Sequence, residues 1–241
     1  MIRCTTIELA THVMARHSLP SHLAHKSALA FVLTEDDSAY ACVQAIRQAH
    51  DRSFDRWPPH INLVYPFLAT PSANIDDILA RVAIAVHDVP AVSATFPAVQ
   101  HFTHSKKSAT LFLEPDAVST RPQLQSIQAA LQAAFPECNH DTRPFVPHLS
   151  LGQTAGGASG IKALTHQMES SLREACSSPP DKGCDFFDDM AAAAMTSNAH
   201  VDPFVDEPAA WTLPWTIGRV VVLERRGFDD PFEIVGQIAL K

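Results

Sequence analysis

Two short segments of the sequence carry the same order of residue types. Residues 59–63 read PHINL and residues 147–151 read PHLSL. Histidine can accept or donate a proton near neutral pH, and each such general acid or base typically contributes ~10²–10⁴-fold to a rate. Asn62 and Ser150, two positions after His60 and His148, can each donate a hydrogen bond to a phosphate oxygen. The two segments predict a pair of proton-transfer groups on either side of one phosphate.

Each histidine and its polar neighbour must lie on a strand if both are to face the same ligand. The run His60–Phe67 is compatible with a strand, in which side chains alternate between the two faces. This alternation predicts that His60, Asn62 and Val64 share one face. The opposite face then carries Ile61, Leu63 and Tyr65.

The second histidine segment lies in the run Phe145–Gly152, where His148 and Ser150 are predicted to share a face. The other apolar runs have strand length or helical spacing. Strands are predicted at Ser27–Thr34, Val92–Phe102, Ala109–Leu113, Thr216–Glu224 and Phe232–Leu240. Helices are predicted after Asp36–Ser38 with Ala41, Ile46 and Ala49 buried, at Asn74–Val86, from Pro122 to Phe135, and at Ile161–Ala175.

The repeated strand motif and the order of elements predict an α+β fold. We expect two pseudo-symmetric lobes, with mostly antiparallel curved sheets and outer helices around a central cleft. A single domain over 27–241 accounts for both halves, because the last strands must return to complete the sheet. Residues 177–210, rich in Ala, Asp and Pro, are interpreted as an acidic insertion.

Residues 1–26 are interpreted as a loosely ordered N-terminal extension, with an organelle transit peptide as the alternative. The five cysteines are widely spaced without a CxxC pair, which argues against a disulfide framework and a structural zinc site. No secretory signal is evident, so we expect a cytoplasmic protein, while a nuclear or mitochondrial location stays open. No apolar run reaches the ~18 residues of a membrane span.

The net charge of −8 argues against a broad surface for nucleic acid, so we expect no extended DNA binding. The insertion at 177–210 holds seven acids and one base, which leaves the rest of the chain close to neutral. A local pocket for a small phosphorylated ligand is compatible with this distribution. We expect a monomer.

The motif residues resemble the two-histidine (2H) phosphoesterase superfamily, which includes 2′-5′ RNA ligase-like proteins and cyclic nucleotide phosphodiesterases. The string from Pro59 to Phe67 is similar to the first motif of one eukaryotic branch, and the closing stretch Glu224–Val235 also resembles that branch. The resemblance implies a LigT-like fold. It also implies a metal-independent phosphodiesterase acting on 2′,3′-cyclic phosphates or 2′-5′ linkages in small nucleotides or RNA ends, and leaves RNA ligase-like activity open.

The resemblance assigns catalytic roles to His60 and His148, as general acid and base, and a phosphate-binding role to Ser150. Asn62 departs from the family pattern, which usually has Thr or Ser there. An amide can still donate to a phosphate oxygen, so Asn62 remains a predicted phosphate-binding residue. It offers no hydroxyl, which puts the rate and the substrate preference in question.

Four other residues are weaker candidates for contact with the substrate. Tyr65 and Phe67 follow the first motif and could stack on a base, although core packing is the better interpretation for at least one of them. Arg143 and Arg225 could attract a phosphorylated ligand or reach the rim of the cleft. Phe102 is interpreted as a core residue.

Two other classes of function compete with the phosphodiesterase. A catalytically weak module that binds nucleotides or RNA ends is favoured by Asn62 and by the low basic charge. A metal hydrolase is poorly supported, because no HxH or HExxH sequence includes either motif histidine. We therefore expect no metal site and no cofactor.

Overall fold

A computed structural model describes residues 19–177 and 211–241, and within them the chain forms eleven strands and four α-helices. Residues 1–18 and 178–210, which hold most of the predicted extension and insertion, lie outside the described residues. The helices are α1 (Tyr40–His50), α2 (Ile75–Val86), α3 (Thr120–Ala134) and α4 (Gly157–Ser177). The strands are β1 (Leu23–Ala24), β2 (Ser27–Val32), β3 (His60–Val64), β4 (Phe67–Leu68), β5 (Val92–Phe96), β6 (Ala98–Ser105), β7 (Ser108–Glu114), β8 (Leu149–Thr154), β9 (Leu213–Ile217), β10 (Arg219–Glu224) and β11 (Glu233–Ala239).

Two predicted strands are each divided by one residue that moves the chain from one sheet to another. Pro97 separates β5 from β6, because proline has no N–H to donate to a sheet. Gly218 separates β9 from β10. As a result β5 pairs with β9, whereas β6 pairs with β7 and β10 pairs with β2.

The strands form two main antiparallel sheets, one in each lobe. The first lobe contains the sheet with strand order β11-β10-β2-β3, and the second contains the sheet β6-β7-β8. The pairs β1-β4 and β5-β9 complete the described strands. This arrangement of antiparallel sheets and outer helices confirms the predicted α+β fold class.

The helices between paired strands are exchanged between the two lobes. Helix α1 lies between β2 and β3 in sequence but packs against β8, the histidine strand of the second lobe. Helix α3 lies between β7 and β8 in sequence but packs against β3. Each of these helices packs on the lobe opposite to the one whose strands flank it in sequence. The helices therefore connect the two histidine strands, and β3 also contacts β8 directly.

The buried face of α1 differs from the predicted one. Val43, Ile46 and Arg47 are buried, while Ala41 and Ala49 are exposed. Helical spacing predicted that Ala41 and Ala49 are buried together with Ile46. The larger side chains of Val43 and Arg47 are buried instead, so the buried face is rotated by about a third of a turn around the helix axis. The buried arginine on this face becomes important for the site.

The first sheet is covered on both sides. One side contributes Leu29, Phe31 and Ile61 to the main hydrophobic core. The other side carries a smaller cluster formed by Ala28, Ala30, Val32, Val221, Leu223 and Phe232, against which Trp57 and Tyr65 pack.

Leu23 and Ala24, which the sequence analysis placed in the extension, pair with Leu68 and Phe67. The side chain of Leu23 is buried in the main core. Part of the segment before residue 27 thus contributes to the first lobe, next to the end of the first histidine motif.

Candidate active site

Both histidine strands contain a β-bulge at the same motif position. Consecutive residues of β2 pair with Asn62 and Val64, so Leu63 is the extra residue of β3. Consecutive residues of β7 pair with Ser150 and Gly152, so Leu151 is the extra residue of β8. A bulge leaves one residue unpaired and redirects the side chains around it, and bulges are common next to active sites.

The bulge at Leu63 corrects the predicted alternation along β3. Val64 is buried in the main core and does not share the face of His60, as the alternation had predicted. Tyr65 was predicted to lie opposite His60, but it packs with the smaller cluster, edge-on to Trp57 at 5.6 Å between ring centroids. One extra residue reverses the alternation of every later side chain, which explains both changes.

The two histidines are held in the same orientation and the same tautomer. Nδ1 of His60 donates to the carbonyl oxygen of Pro58 at 2.8 Å, and Nδ1 of His148 donates to that of Val146 at 2.7 Å. Each carbonyl belongs to the residue two positions earlier. Because a carbonyl oxygen can only accept, the proton of each neutral imidazole resides on Nδ1, and Nε2 is left with its lone pair.

His60 is enclosed by aromatic rings and by its own motif partner. Its ring stacks on Trp57 with centroids 4.4 Å apart, and Trp57 stacks in turn on Phe232 at 3.6 Å. Nδ2 of Asn62 donates a hydrogen bond to Nε2 of His60 at 3.0 Å. Burial, with smaller contributions from the nearby charges of Arg47 and His148, lowers the pKa of His60 to about 4. His60 is consequently neutral at pH 7.

His148 has a different environment on the opposite side. The rings of Phe102 and Phe112 make edge-type contacts with the imidazole of His148, with centroids 5.0 and 5.4 Å from its own. Burial lowers the pKa of His148 as well. Phe102, interpreted from the sequence as a core residue, lines a cavity beside His148.

A cavity of about 570 Å³ lies between the lobes and brings several predicted site residues together. Asn62 and Tyr65 line it from β3 and the turn after it, while Arg143 and His148 line it from the opposite side. Its volume lies within the ~300–1,000 Å³ typical of small-molecule sites. His60 adjoins it through the hydrogen bond to Asn62, and Ser150 lies partly buried on β8, two residues after His148.

Phe67 and Arg225 are not brought to this cavity. Phe67 is completely buried in the main core, edge-on to Phe135 at 5.1 Å. Arg225 is also buried and lies 4.6 Å from the centroid of Phe232. Its Nη2 donates to the carbonyl oxygen of His25 at 3.0 Å and its Nη1 donates to that of Phe228, so Arg225 ties the β10–β11 connection to the first lobe.

Arg143 lines the cavity but is paired with a neighbouring acid. Its Nε donates to both carboxylate oxygens of Asp141, at 2.8 and 3.1 Å, and its Nη2 donates at 2.5 Å. The side chain of Arg143 is 85% exposed, so this pair is well solvated. A phosphorylated ligand would therefore meet a partly neutralised charge here.

Asn62 carries an unusual polar atom. Its Oδ1 is buried and has no hydrogen-bond partner among the described residues. Since Nδ2 has two hydrogens and only one is used by His60, the second N–H remains for a ligand. The amide therefore offers a donor to the cleft, but its acceptor oxygen is left unpaired.

Two contributors to the site were missed at the sequence level. Trp57, which was not among the predicted site residues, covers the ring of His60. Arg47 lies close enough to influence the pKa of His60. Its spacing from Val43 and Ile46, with Asp51 four residues later, is the signal that could have placed a buried ion pair on this face of α1.

In the part of the chain that the structure describes, neither a metal-binding cluster nor a membrane-spanning helix is found. Residues 19–177 and 211–241 contain no group of three or more His, Cys, Asp or Glu side chains arranged to hold a metal ion. Within the same ranges no helix has the length and apolar character that a membrane span requires.

Several solved structures resemble this chain. E. coli LigT complexed with 3′-AMP is 14% identical, and the superposition covers 90% of this chain and 98% of LigT with a TM-score of 0.48. TT0787 of Thermus thermophilus is also 14% identical, covering 89% and 97% of the two chains with a TM-score of 0.48. Usb1 of Kluyveromyces marxianus is 10% identical, covering 90% and 97% with a TM-score of 0.44.

The amino-acid sequence itself matches one family of proteins. No protein of curated function matches this chain. The family model described as the 2′-5′ RNA ligase superfamily matches residues 34–179, which include both histidine motifs and more than half of the 241 residues. The chain belongs to the 2′-5′ RNA ligase superfamily, whose members are two-histidine phosphoesterases.

Proposed function

We propose that this protein is a metal-independent phosphodiesterase acting on 2′,3′-cyclic phosphates or 2′-5′ linkages of small nucleotides or RNA ends. The observation that carries the proposal is the matched presentation of His60 and His148. Each ring is fixed through Nδ1 by the carbonyl two residues earlier, so the lone pair of each neutral ring is on Nε2, where that of His60 accepts from Asn62. The charge of His148 is one of the causes that lower the pKa of His60, and β3, which begins at His60, contacts β8, which begins just after His148.

In the proposed hydrolysis of a cyclic phosphate, water attacks phosphorus and one ring P–O bond breaks. His60 takes a proton from the attacking water, because its low pKa keeps it neutral at pH 7. His148 enters protonated and gives its proton to the departing ribose oxygen. The product is a phosphate monoester, and the step leaves His60 protonated and His148 neutral. The bound phosphate anion favours the charged form of His148, since an opposite charge nearby raises the pKa of a histidine.

Asn62 and Ser150 complete the proposed arrangement. The second N–H of Asn62 and the hydroxyl of Ser150 would donate to phosphate oxygens as negative charge develops on them. Each residue shares the face of the histidine two positions earlier through ordinary strand alternation, and the bulged leucine that follows it is buried. Tyr65, Phe102 and Arg143 line the volume that the rest of the nucleotide would occupy.

The proposal is tested with purified protein, 2′,3′-cyclic nucleotides and 2′-5′ dinucleotides, in the presence and absence of a strong chelator. We expect turnover that is unaffected by the chelator and is lost when both histidines are replaced by glutamine. Activity that disappears with chelator and returns with zinc would overturn the metal-independent mechanism. Unchanged turnover in the double variant would overturn the assignment of the site.

A binding module with little catalysis is a second candidate, and the contact between Asn62 and His60 favours it. The amide N–H occupies the lone pair of Nε2 that a general base would use. A base with a pKa near 4 is also weak at neutral pH, because proton-transfer groups work best with a pKa near the operating pH. Calorimetric binding of a nucleotide with no product after a long incubation would favour this candidate over the enzyme.

A further inference from the structure

A buried ion pair lies behind the two histidine strands, outside the cavity. Arg47 of α1 is 1% exposed and Asp51, just after α1, is 8% exposed. Nε and Nη2 of Arg47 both donate to Oδ2 of Asp51, at 3.0 and 2.8 Å. Gln44 accepts a further bond from Nη1 of Arg47 at 2.8 Å. The guanidinium and the carboxylate therefore have fixed positions within the fold.

This pair is bonded to both motif regions. Nη2 of Arg47 donates to the carbonyl oxygen of Trp57 at 2.8 Å, next to the Pro58 carbonyl that holds His60. On the other side, Oδ1 of Asp51 accepts from Nε2 of Gln153 at 3.0 Å, and Gln153 belongs to β8, three residues after Ser150. One ion pair thus links the approach to the first histidine with the strand that follows the second.

The end of α1 also touches β8 directly, near Gln153. Gly152 lies so close to α1 that a Cβ on it would meet the backbone oxygen and the Cβ of His50 at 2.6 Å. Oε1 of Gln153 accepts a bond from the backbone N–H of Arg52 at 2.9 Å. These contacts allow little freedom in the distance between α1 and β8, so a change at the ion pair would be transmitted to the strand.

We propose that Arg47 and Asp51 are positioning residues for the reaction, because their bonds to Trp57 and Gln153 fix the separation of the two histidine strands. The inference rests on the proposed function, but the state of the His60 ring can be measured without turnover. A displacement of about 1 Å at a reacting group can reduce a rate ~10²-fold, which is the scale of effect this arrangement controls.

Burial is the main cause that lowers the pKa of His60, and the charges of the ion pair act on it as well. Arg47 lowers the pKa of His60, as does His148 before β8, while Asp51 raises it. The carbonyl oxygen of Pro58 also raises the pKa of His60, because it accepts a hydrogen bond from Nδ1. Arg47 and Asp51 therefore act on His60 in opposite directions, and replacing one or the other should move its pKa in opposite directions.

A role confined to stability is the competing explanation, because a buried ion pair is by itself weak support for any function. A stability role predicts that the variants unfold more easily but that, while folded, they titrate and turn over like the wild type. A positioning role predicts changes in the folded protein. The two explanations are separated by measurements made well below the unfolding temperature.

The experiment combines NMR titration of the His60 ring with steady-state kinetics on full-length variants. Arg47→Gln should raise the pKa of His60, Asp51→Asn should lower it, and Arg47→Lys should leave it close to the wild-type value. The double variant Arg47→Met/Asp51→Leu replaces the pair by apolar side chains that such sites often tolerate. We expect it to fold, and to lose about 10- to 100-fold in kcat with a smaller change in KM.

Gln153→Met and Arg81→Gln complete the test. Gln153→Met removes the bond to β8 while leaving the ion pair intact, so kcat should fall even if the double variant fails to fold. Arg81→Gln is the control, because it breaks a 2.8 Å ion pair with Glu137, and neither partner is among the charges that shift the pKa of His60 or His148. It should change neither the pKa of His60 nor kcat.

The outcomes separate this inference from the proposed function. If the wild type turns over nothing, the phosphodiesterase proposal fails, while the NMR titration still decides whether the pair controls His60. A His60 pKa that is unchanged in both Arg47→Gln and Asp51→Asn overturns the electrostatic role. Wild-type kcat in folded Gln153→Met and in the folded double variant overturns the positioning role.

Discussion

The surroundings of His60 and His148 differ far more than the motifs that contain them. Both rings donate from Nδ1 to the carbonyl two residues earlier, and both strands have a bulge after the polar motif residue. Yet His60 is stacked on Trp57 and bonded by Asn62, whereas His148 meets Phe102 and Phe112 edge-on, and those two rings stack on each other. The duplicated motif sets the orientation of each imidazole, and the unique neighbours set how readily each is protonated.

This difference suggests why a symmetric site can perform an asymmetric reaction. General acid–base catalysis needs one neutral and one protonated group at the same pH. Arg47 is one of the charges that lower the pKa of His60, and it is not among the causes that act on His148. Altering the surroundings of His60 should therefore have different consequences from altering those of His148.

Replacing one histidine at a time tests directly whether His60 and His148 have different roles. We expect His60→Gln and His148→Gln each to lower kcat by ~10²–10⁴-fold, the contribution of one general acid or base. The pH–rate profiles should differ: His60→Gln should remove the loss of activity at acid pH, and His148→Gln the loss at alkaline pH. Identical profiles for the two variants would contradict separate roles.

The buried neutral state of His60 should make the protein less stable in acid. The pKa of His60 falls from an ordinary 6.5 to about 4 on folding, so the unfolded chain binds more protons between these values. The stabilisation is complete above pH 6.5 and is lost as pH falls towards 4, by at most about 3 kcal/mol. Urea unfolding of wild type and His60→Gln across this range measures it. Equal pH slopes for both proteins would contradict the prediction.

Removing the ring that covers His60 should make the two sides more alike. Trp57→Leu opens the stack with His60 and with Phe232, so the pKa of His60 should rise towards its ordinary value. The loss of ring contacts should cost about 1–3 kcal/mol in the free energy of unfolding. Trp215→Leu is the matched control: this buried tryptophan stacks on Phe96 instead, so the variant should lose stability without changing the titration of His60.

The smallest expected effect tests the polar motif residue. Asn62→Ser gives the first motif the polar residue of the second and removes the N–H that occupies Nε2 of His60. It also removes the buried Oδ1 that has no partner among the described residues. We expect kcat to rise by about tenfold or less, since one hydrogen bond contributes ~0.5–1.5 kcal/mol. A fall in kcat of similar size would instead indicate that the serine hydroxyl does not replace the second amide N–H as a phosphate donor, and that this loss outweighs the release of Nε2.

Local patterns were sufficient for most of the secondary structure. The apolar spacing of Ile78, Val82 and Val86 predicted α2, and that of Leu124, Ile127 and Leu131 predicted α3. The predictions failed where one residue interrupts a pattern. Pro97 and Gly218 each divide a strand, and Leu63 reverses the alternation after Asn62. A sequence pattern cannot tell a bulged residue from a paired one, because only the neighbouring strand defines the pairing.

The predicted site residues divide in the same way. Asn62, Tyr65, Arg143 and His148 line one cavity, with His60 bonded to Asn62. Phe67 and Arg225, chosen for their residue type and position, are buried elsewhere. Their side chains satisfy core packing and backbone carbonyls, which are requirements that only the assembled fold imposes.

The sequence by itself determined the chemistry that is available: two histidines, each in a β-compatible run, each followed at the same offset by a small polar residue. Residue types and strand periodicity are local properties, so the amino-acid sequence is enough to establish them. Tertiary structure alone decided that Trp57 covers one imidazole and that Arg47 and Asp51 connect both strands. Protonation depends on burial and on charges brought close in space, and residues far apart in sequence supply both.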